Sequence, residues 1–124
     1  MADKNKIKAK KADRRRRRVR GKVQGTSVRP RLTVARSLNN ITVQIVDDEA
    51  RTTILGVASN SKVMKDALKS GDNKTVVARK VGLKIAELSK DKGIESVVFD
   101  RNVSLYHGRV KAVAEGARKG GLKL

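Results

Sequence analysis

The one carboxylate cluster in the sequence is formed by Asp47, Asp48 and Glu49, and clustered carboxylates can hold Mg²⁺ for phosphoryl-transfer chemistry. However, three consecutive residues cannot all converge on one ion, and no partner acid lies nearby in the pattern. We therefore interpret the cluster as a solvated hairpin turn. Neither a metal site nor an active site is predicted there.

A second segment with chemical potential runs from Arg101 to Arg109 and concentrates hydrogen-bond donors. Arg101, Tyr106, His107 and Arg109 fall within nine residues, and Gly108 allows the backbone to approach a partner closely. No Ser, Cys or carboxylate has a spacing that forms a catalytic relay with His107, so we expect a protein that is not an enzyme. The donors suit the phosphates and 2′-hydroxyls of folded RNA, whereas Tyr106 is as typical of a packing residue as of a stacking platform.

Two predicted elements position this corner. The apolar run Val97-Val98-Phe99 predicts a strand from Ser96 to Phe99. After the corner, apolar residues recur at the three-and-four spacing of one helical face and predict a terminal helix that ends at Gly120-Gly121. The residues expected on its inward face are Val110, Val113, Ala114 and Ala117.

Residues 31–58 show the period-two alternation of half-buried strands. Strands are predicted from Arg31 to Arg36, from Ile41 to Val46 and from Thr52 to Ala58, with a turn at Asn39-Asn40. The outward positions of the first two strands are Arg31, Thr33, Ala35, Thr42, Gln44 and Val46. We expect an antiparallel meander whose polar face is free to contact a partner.

The segment between the meander and the corner predicts two helices. A short helix from Lys62 to Lys69 would be capped by Ser61, with inward side chains at Val63, Met64, Ala67 and Leu68. A longer helix would begin after an N-cap at Asp72 or Asn73 and end near Lys92, with an apolar stripe formed by Val77, Val81, Ile85 and Leu88. Gly82, beside that stripe, predicts a close approach of the helix to the sheet.

These elements predict an α/β fold. A long helix between two strands implies a crossover, so the fourth strand should lie parallel to strand one, beside the three-strand antiparallel meander. The helices should pack on the sheet. At 124 residues the chain has room for one folded domain, which we place at residues 26–124 after a basic arm at residues 1–25.

The charge of the chain indicates a polyanionic partner. The net charge is +19 and the pI is about 11.1, which favours nucleic acid over an anionic membrane surface. No segment predicts a membrane span or a signal peptide, so we expect the protein to remain inside the cell. Zero cysteines and one histidine leave no basis for a disulfide or a metal site, and no cofactor or small-molecule substrate is expected.

The amino-terminal arm has the densest charge. Residues 1–25 contain twelve Lys or Arg against two Asp, and large aliphatic residues are scarce. Such a segment cannot bury enough apolar surface to offset the entropy of ordering it, so it should be disordered when free. Phosphates that neutralise its arginines could allow a helix to form, since it contains no Gly or Pro between residues 4 and 20.

Two blocks of the sequence resemble one ribosomal protein family, the eighteenth protein of the bacterial large subunit. The first block comprises Gly25-Thr26, Arg29 to Val34, Arg36-Ser37 and Ile41 to Asp48. The second comprises Val97 to Arg101, Leu105 to Val110, Ala114 to Arg118 and Gly121-Leu122. The blocks stand in the family's order and spacing, and the resemblance covers nearly the whole chain after about residue 14.

The resemblance implies a structural protein that binds 5S ribosomal RNA and helps attach it to the large ribosomal RNA in the central protuberance, beside neighbouring ribosomal proteins of the cytoplasmic ribosome. Charge alone would equally allow a small basic DNA-organising protein, and a nuclease on a ribonuclease-like scaffold is a third possibility that lacks dispersed acidic residues. The residues expected at the ribosomal RNA interface are Arg14, Arg15, Arg16, Arg17, Arg18, Arg20, Lys22, Arg29, Arg31, Thr33, Arg36, Asn39, Asn40, Thr42, Gln44, Arg101, Tyr106, His107, Gly108 and Arg109.

Overall fold

A computed structural model describes residues 4–20, 25–65, 67–101 and 107–124. In chain order its elements are α1 (Lys4–Arg20), β1 (Arg31–Arg36), β2 (Ile41–Asp47), β3 (Thr52–Ala58), a 3₁₀ turn (Lys62–Met64), α2 (Lys74–Asp91), β4 (Val98–Asp100) and α3 (Arg109–Lys119). The predicted α/β class is confirmed.

The four strands form one mixed sheet in the order β3-β2-β1-β4. β1 pairs antiparallel with β2, placing Thr33 opposite Gln44, and parallel with β4, placing Leu32 opposite Phe99. The predicted meander and the parallel fourth strand are therefore confirmed. One register shift interrupts the β2–β3 ladder, because Ile45 pairs with Leu55 and Val46 pairs with Thr53. The side-chain alternation of β3 therefore changes at Ile54, whereas that of β2 continues.

One face of the sheet forms the core with α2 and α3. Leu32, Val43 and Ile45 from the sheet are fully buried, as are Val81 and Ile85 from α2. The predicted N-cap of α2 is confirmed, because the Asn73 Oδ1 accepts a hydrogen bond from the Val76 N–H at 2.9 Å. The other face of the sheet is left uncovered by α2 and α3.

The helices α2 and α3 run in the same direction and pack backbone to backbone. A methyl group on Gly82 would overlap the carbonyl of Val113, and one on Gly116 would overlap the carbonyl of Arg79. The expectation that Gly82 approaches the sheet is thus wrong. The branched stripe of α2 covers the sheet, whereas its glycine lies on the adjacent side, where the small residues of α3 permit the closest contact.

The predicted short helix at residues 62–69 is also wrong, because among the described residues of that segment, 62–65 and 67–69, the helical part is a 3₁₀ turn over Lys62–Met64. The Ser61 hydroxyl donates to the Ala58 carbonyl at 2.6 Å instead of capping a helix. Met64 is buried as expected, but Val63 is 49% exposed and Ala67 is exposed. Met64 therefore anchors this connection on the core.

Strand bounds differ slightly from the predicted ones. β2 includes Asp47, and β4 covers Val98–Asp100 instead of 96–99. Ser96 forms an isolated parallel bridge with Lys123, and the Val97 N–H donates to the Lys123 carbonyl at 2.8 Å. The chain after α3 therefore pairs beside the residues that lead into β4.

Candidate RNA interface

The end of the sheet where β1 finishes is bordered by the beginnings of both long helices. We call this region the turn edge, and define it as the β1–β2 turn (residues 37–40), Asn73 and Lys74 at the start of α2, and Gly108 and Arg109 at the start of α3. Two parallel helices present their N-terminal partial positive charges here. Gly108 is the N-cap of α3 and has φ +59°, a backbone conformation that glycine adopts readily.

Two cationic side chains, one from the start of each long helix, donate hydrogen bonds to the β1–β2 turn. The Arg109 guanidinium donates to the Ser37 carbonyl at 3.0 Å, and the Lys74 ammonium donates to the Leu38 carbonyl at 2.7 Å. These bonds satisfy two consecutive backbone acceptors of an exposed turn. Each helix is therefore tied at its first turn to the same loop of the sheet.

The turn is also fixed by its own polar groups. The Ser37 N–H donates to the Asn40 carbonyl at 2.8 Å, and the Asn40 N–H donates to the Ser37 hydroxyl at 3.1 Å. The Ser59 hydroxyl donates to Asn40 Oδ1 at 3.0 Å, linking the turn to the residue after β3. Asn39 remains exposed.

A cleft of about 140 Å³ lies inside the turn edge and is lined in part by Asn39, Asn40, Lys74 and Arg109. Asp72 is the acidic residue among those that line this cleft. The Lys80 ammonium donates to the Asp72 carboxylate at 2.6 Å, and the Lys69 N–H donates to it at 3.0 Å. These two hydrogen bonds, the one from Lys80 being the stronger influence, hold the pKa of Asp72 below its ordinary value. The carboxylate charge is thus already neutralised by protein groups.

The uncovered face of the sheet presents small polar side chains. Gln44 is exposed, Thr33 and Thr42 are half-buried, and Gly56 lies opposite Gln44 on β3. Arg29 and Arg36, before and at the end of β1, are exposed as well. The structure therefore brings the expected residues Thr33, Thr42 and Gln44 onto one open surface.

Arg31 departs from the expectation that it lies on the open face. Its guanidinium is buried, donating from Nη1 to Asp100 at 2.6 Å and from Nε and Nη2 to Asp48 at 3.0 and 3.1 Å. Burial alone lowers the pKa of Arg31, but the hydrogen bonds to Asp48 and Asp100 raise it above its ordinary value. The strand alternation was predicted correctly, yet the neighbouring carboxylates cover the side chain.

The interpretation of residues 47–49 as a solvated turn needs the matching correction. Asp47 is 8% exposed, and its carboxylate accepts from the N–H groups of Glu49 and Ala50 at 3.0 and 3.2 Å. Asp48 accepts from the Gly25 N–H at 2.7 Å in addition to Arg31. The two aspartates are thus occupied by separate structural contacts.

Helix α1 carries a dense set of cations. Lys11, Arg14, Arg15 and Arg18 line one shallow groove along it, and Arg16 pairs with Asp13 at 2.9 Å. Lys22 and the Arg20 side chain lie outside the described part of the structure. Disorder of the free arm and its ordering by RNA stay predictions.

The structure describes residues 101 and 107–109 of the donor-rich corner between Arg101 and Arg109. Arg101 is half-buried, and His107 and Gly108 are exposed next to Arg109. Tyr106 lies outside the described residues. Among the corner residues that the structure describes, Gly108 and Arg109 belong to the turn edge.

Sequence reasoning missed Lys74 and Leu38. A usable signal existed, because helices that flank a parallel strand begin near the carboxyl ends of strands, where loops form binding sites in α/β folds. The first residues of α2 should therefore have been considered together with the turn after β1.

The described ranges of the chain hold neither a metal-binding cluster nor a helix that could cross a membrane. There, no three His, Cys, Asp or Glu side chains are grouped so that they could hold a metal ion. Each helix in these ranges falls short of the length or apolarity that a membrane crossing requires.

Comparisons with known proteins agree with the two sequence blocks. A family model described as ribosomal L18 of archaea, bacteria, mitochondria and chloroplast matches residues 6–124. The chain is 50% identical over 111 residues to large ribosomal subunit protein uL18 of Anaeromyxobacter sp. (strain Fw109-5), covering 90% of this chain and 92% of that relative. It is 49% identical over 120 residues to uL18 of Desulforamulus reducens, covering 97% and 94% of the two chains. It is 52% identical over 119 residues to uL18 of Chloroherpeton thalassium, covering 96% and 98%.

Proposed function

The chain belongs to the ribosomal L18 family, and from this premise we propose that it binds 5S ribosomal RNA and helps attach it to the large ribosomal RNA in the central protuberance. Family membership makes the protein a structural component of the large subunit of the cytoplasmic ribosome, not an enzyme, with ribosomal RNA and ribosomal proteins as its partners. It also decides against the DNA-organising and nuclease alternatives.

The observation that supports the proposal best is the pairing of a polar open sheet face with a cationic turn edge. Thr33, Thr42 and Gln44 offer uncharged donors and acceptors on a rigid surface, and Lys74 and Arg109 add positive charge at one end of it. Folded RNA is recognised through its shape, phosphates and 2′-hydroxyls, and this combination of groups suits such a surface.

The arm would supply a second, less specific contact. The run Arg14 to Arg18 places guanidinium groups around α1, and guanidinium forks match phosphate oxygens. In this proposal the folded domain selects 5S ribosomal RNA, whereas the arm reaches toward the large ribosomal RNA. The predicted interface residues of the domain other than Arg31 and Arg109 retain their proposed role, since the Arg31 guanidinium is buried and the Arg109 guanidinium is bonded to the Ser37 carbonyl.

Equilibrium binding of the full chain to transcribed 5S ribosomal RNA tests the proposal, with transfer RNA and duplex DNA of similar length as competitors at a fixed salt concentration. We expect affinity for 5S ribosomal RNA to exceed that for either competitor by at least roughly tenfold, since nonspecific phosphate contacts are shared by all three. Equal affinities would reduce the proposal to nonspecific polyanion binding.

A further inference from the structure

We propose that Leu38 is an apolar contact for folded RNA, presented by a turn that Arg109 and Lys74 hold in place. The inference rests on the proposed function and deepens it, because it names the group that touches RNA and the two residues that position it. Its ligand is an RNA surface that exposes an unpaired base or a ribose between phosphates.

Leu38 is exposed within a turn that is otherwise held firmly. Its side chain is 78% exposed, although the backbone beside it is hydrogen-bonded at Ser37 and Asn40. A single exposed leucine is ordinary on a protein surface. Here, however, the exposed side chain lies at the centre of a turn that its own polar groups and both long helices constrain.

Two cations from different helices act on this one turn. Arg109 and Lys74 bond to the carbonyls of Ser37 and Leu38, which are consecutive residues. Surface lysine and arginine side chains lose rotamer entropy when they are held in this way. Because the two hydrogen bonds fix the turn before RNA binds, this entropy is already lost in the free protein. A preorganised contact of this kind costs less to order in the complex.

The charge around Leu38 identifies the class of partner. Lys74 bonds to the Leu38 carbonyl, Arg109 bonds to the adjacent Ser37 carbonyl, and the exposed Arg36 lies two residues before Leu38 in the chain. Asp72, which lines the cleft beside Lys74 and Arg109, is paired with Lys80 at 2.6 Å. The N-terminal ends of α2 and α3 add further positive potential. An apolar group surrounded by cations matches RNA, in which base and sugar surfaces lie between phosphates, better than it matches an apolar protein pocket.

Affinity of full-length variants for 5S ribosomal RNA, measured together with their melting temperatures, tests the role of Leu38. Leu38→Ala should weaken binding roughly tenfold, because it removes most of a leucine side chain that RNA would bury in the complex. It should leave the melting temperature unchanged, because the side chain is exposed in the free protein. Leu38→Met should retain the affinity, whereas the polar Leu38→Asn should not. Val63→Ala is the matched control, since Val63 is another exposed aliphatic residue at 49% exposure and should show no change.

The positioning role is tested by combining variants. If Arg109 acts through the turn, Arg109→Met should weaken binding in the native background but much less when Leu38 is already alanine. Lys74→Met should behave in the same way. Decreases in affinity that add fully would show that Arg109 and Lys74 touch RNA themselves, and would overturn their assignment as positioning residues.

These measurements separate failure of this inference from failure of the proposed function. If the native chain prefers 5S ribosomal RNA but Leu38→Ala and Leu38→Asn bind as well as it does, the inference is wrong and the function stands. The same conclusion holds if Leu38→Ala weakens only the association with another ribosomal protein. If the native chain shows no preference for 5S ribosomal RNA, the proposed function itself fails.

Discussion

The Arg31 guanidinium donates to the Asp100 carboxylate at 2.6 Å, joining β1 to β4 with side chains that are only 4% and 2% exposed. Asp48 accepts from the same guanidinium and from the Gly25 N–H. One buried cation therefore connects the start of the domain, the β2–β3 turn and the parallel strand. Each described buried polar side-chain atom in this region has a partner.

Replacing Arg31 should destabilise the domain. Arg31→Met leaves the Asp100 carboxylate buried without its cation, which costs about 3–5 kcal/mol when one member of a buried pair is removed. Chemical denaturation measures the decrease in the free energy of unfolding. Arg36→Met, at the exposed end of the same strand, is the control and should change stability by less than about 0.5 kcal/mol.

Alanine at either glycine of the helix contact should also be destabilising. Gly82→Ala and Gly116→Ala would each gain helix propensity, but the added methyl meets a backbone carbonyl that cannot move aside, so we expect a net destabilisation of roughly 1–3 kcal/mol. Gly56→Ala is the control, because its methyl would lie 3.8 Å from Gln44 Cγ in ordinary contact. Equal melting temperatures for all three variants would contradict the close packing of α2 on α3.

The two faces of β2 predict opposite outcomes for neighbouring substitutions. Gln44→Glu should lower RNA affinity by charge repulsion and leave stability unchanged, because Gln44 is exposed. Val43→Glu should unfold the domain, because Val43 is 0% exposed and the new carboxylate would be buried without a partner. Circular dichroism measures the stability of both variants, and an equilibrium assay measures their RNA affinity. Equal destabilisation of the two variants would refute the assignment of Gln44 to the exposed face and Val43 to the buried face.

Neutralising the arm should reduce the salt dependence of RNA binding. A variant with glutamine at each position from Arg14 to Arg18 should lower the log–log salt slope by roughly one for each phosphate that the arm no longer neutralises. Its folded domain should melt as the native one does. The charge-matched control carries glutamine at five exposed lysines elsewhere, namely Lys65, Lys90, Lys92, Lys119 and Lys123, and should keep most of the slope.

Asp72 should contribute to acid sensitivity. Its pKa is lowered from an ordinary 3.8 by hydrogen bonds from Lys80 and from the Lys69 N–H, so its stabilising effect is complete above that value and is lost as pH falls through the lower folded-state pKa. The stability difference between the native chain and Asp72→Asn should therefore shrink on acidification. A difference that stays constant from pH 6 to about pH 2 would argue against the Lys80 contact.

The sheet and the bounds of the two long helices of the domain could be predicted because they depend on local periodicity and on the crossover rule. The alternation of Leu32 and Val34 with Thr33, and the N-cap at Asn73, required no knowledge of distant residues. The parallel placement of β4 followed from the intervening helix.

The remaining differences depend on tertiary contacts that no local pattern encodes. Whether the outward Arg31 is covered depends on Asp100, 69 positions away. Likewise, the side of α2 that holds Gly82 could face either the sheet or another helix, and the choice depends on how α3 packs against it. The hydrogen bonds from Lys74 and Arg109 to the β1–β2 turn arise only once both helices are docked.

The glycine contact between α2 and α3 also bears on how the molecule unfolds. Each glycine weakens its helix in isolation, and a helix of 11 residues such as α3 is marginal in water by itself. The helical layer therefore gains its stability from docking, so α2 and α3 should open together as one cooperative unit. Native-state hydrogen exchange should then show the amides of Val81, Ile85 and Val113 exchanging with a common opening free energy.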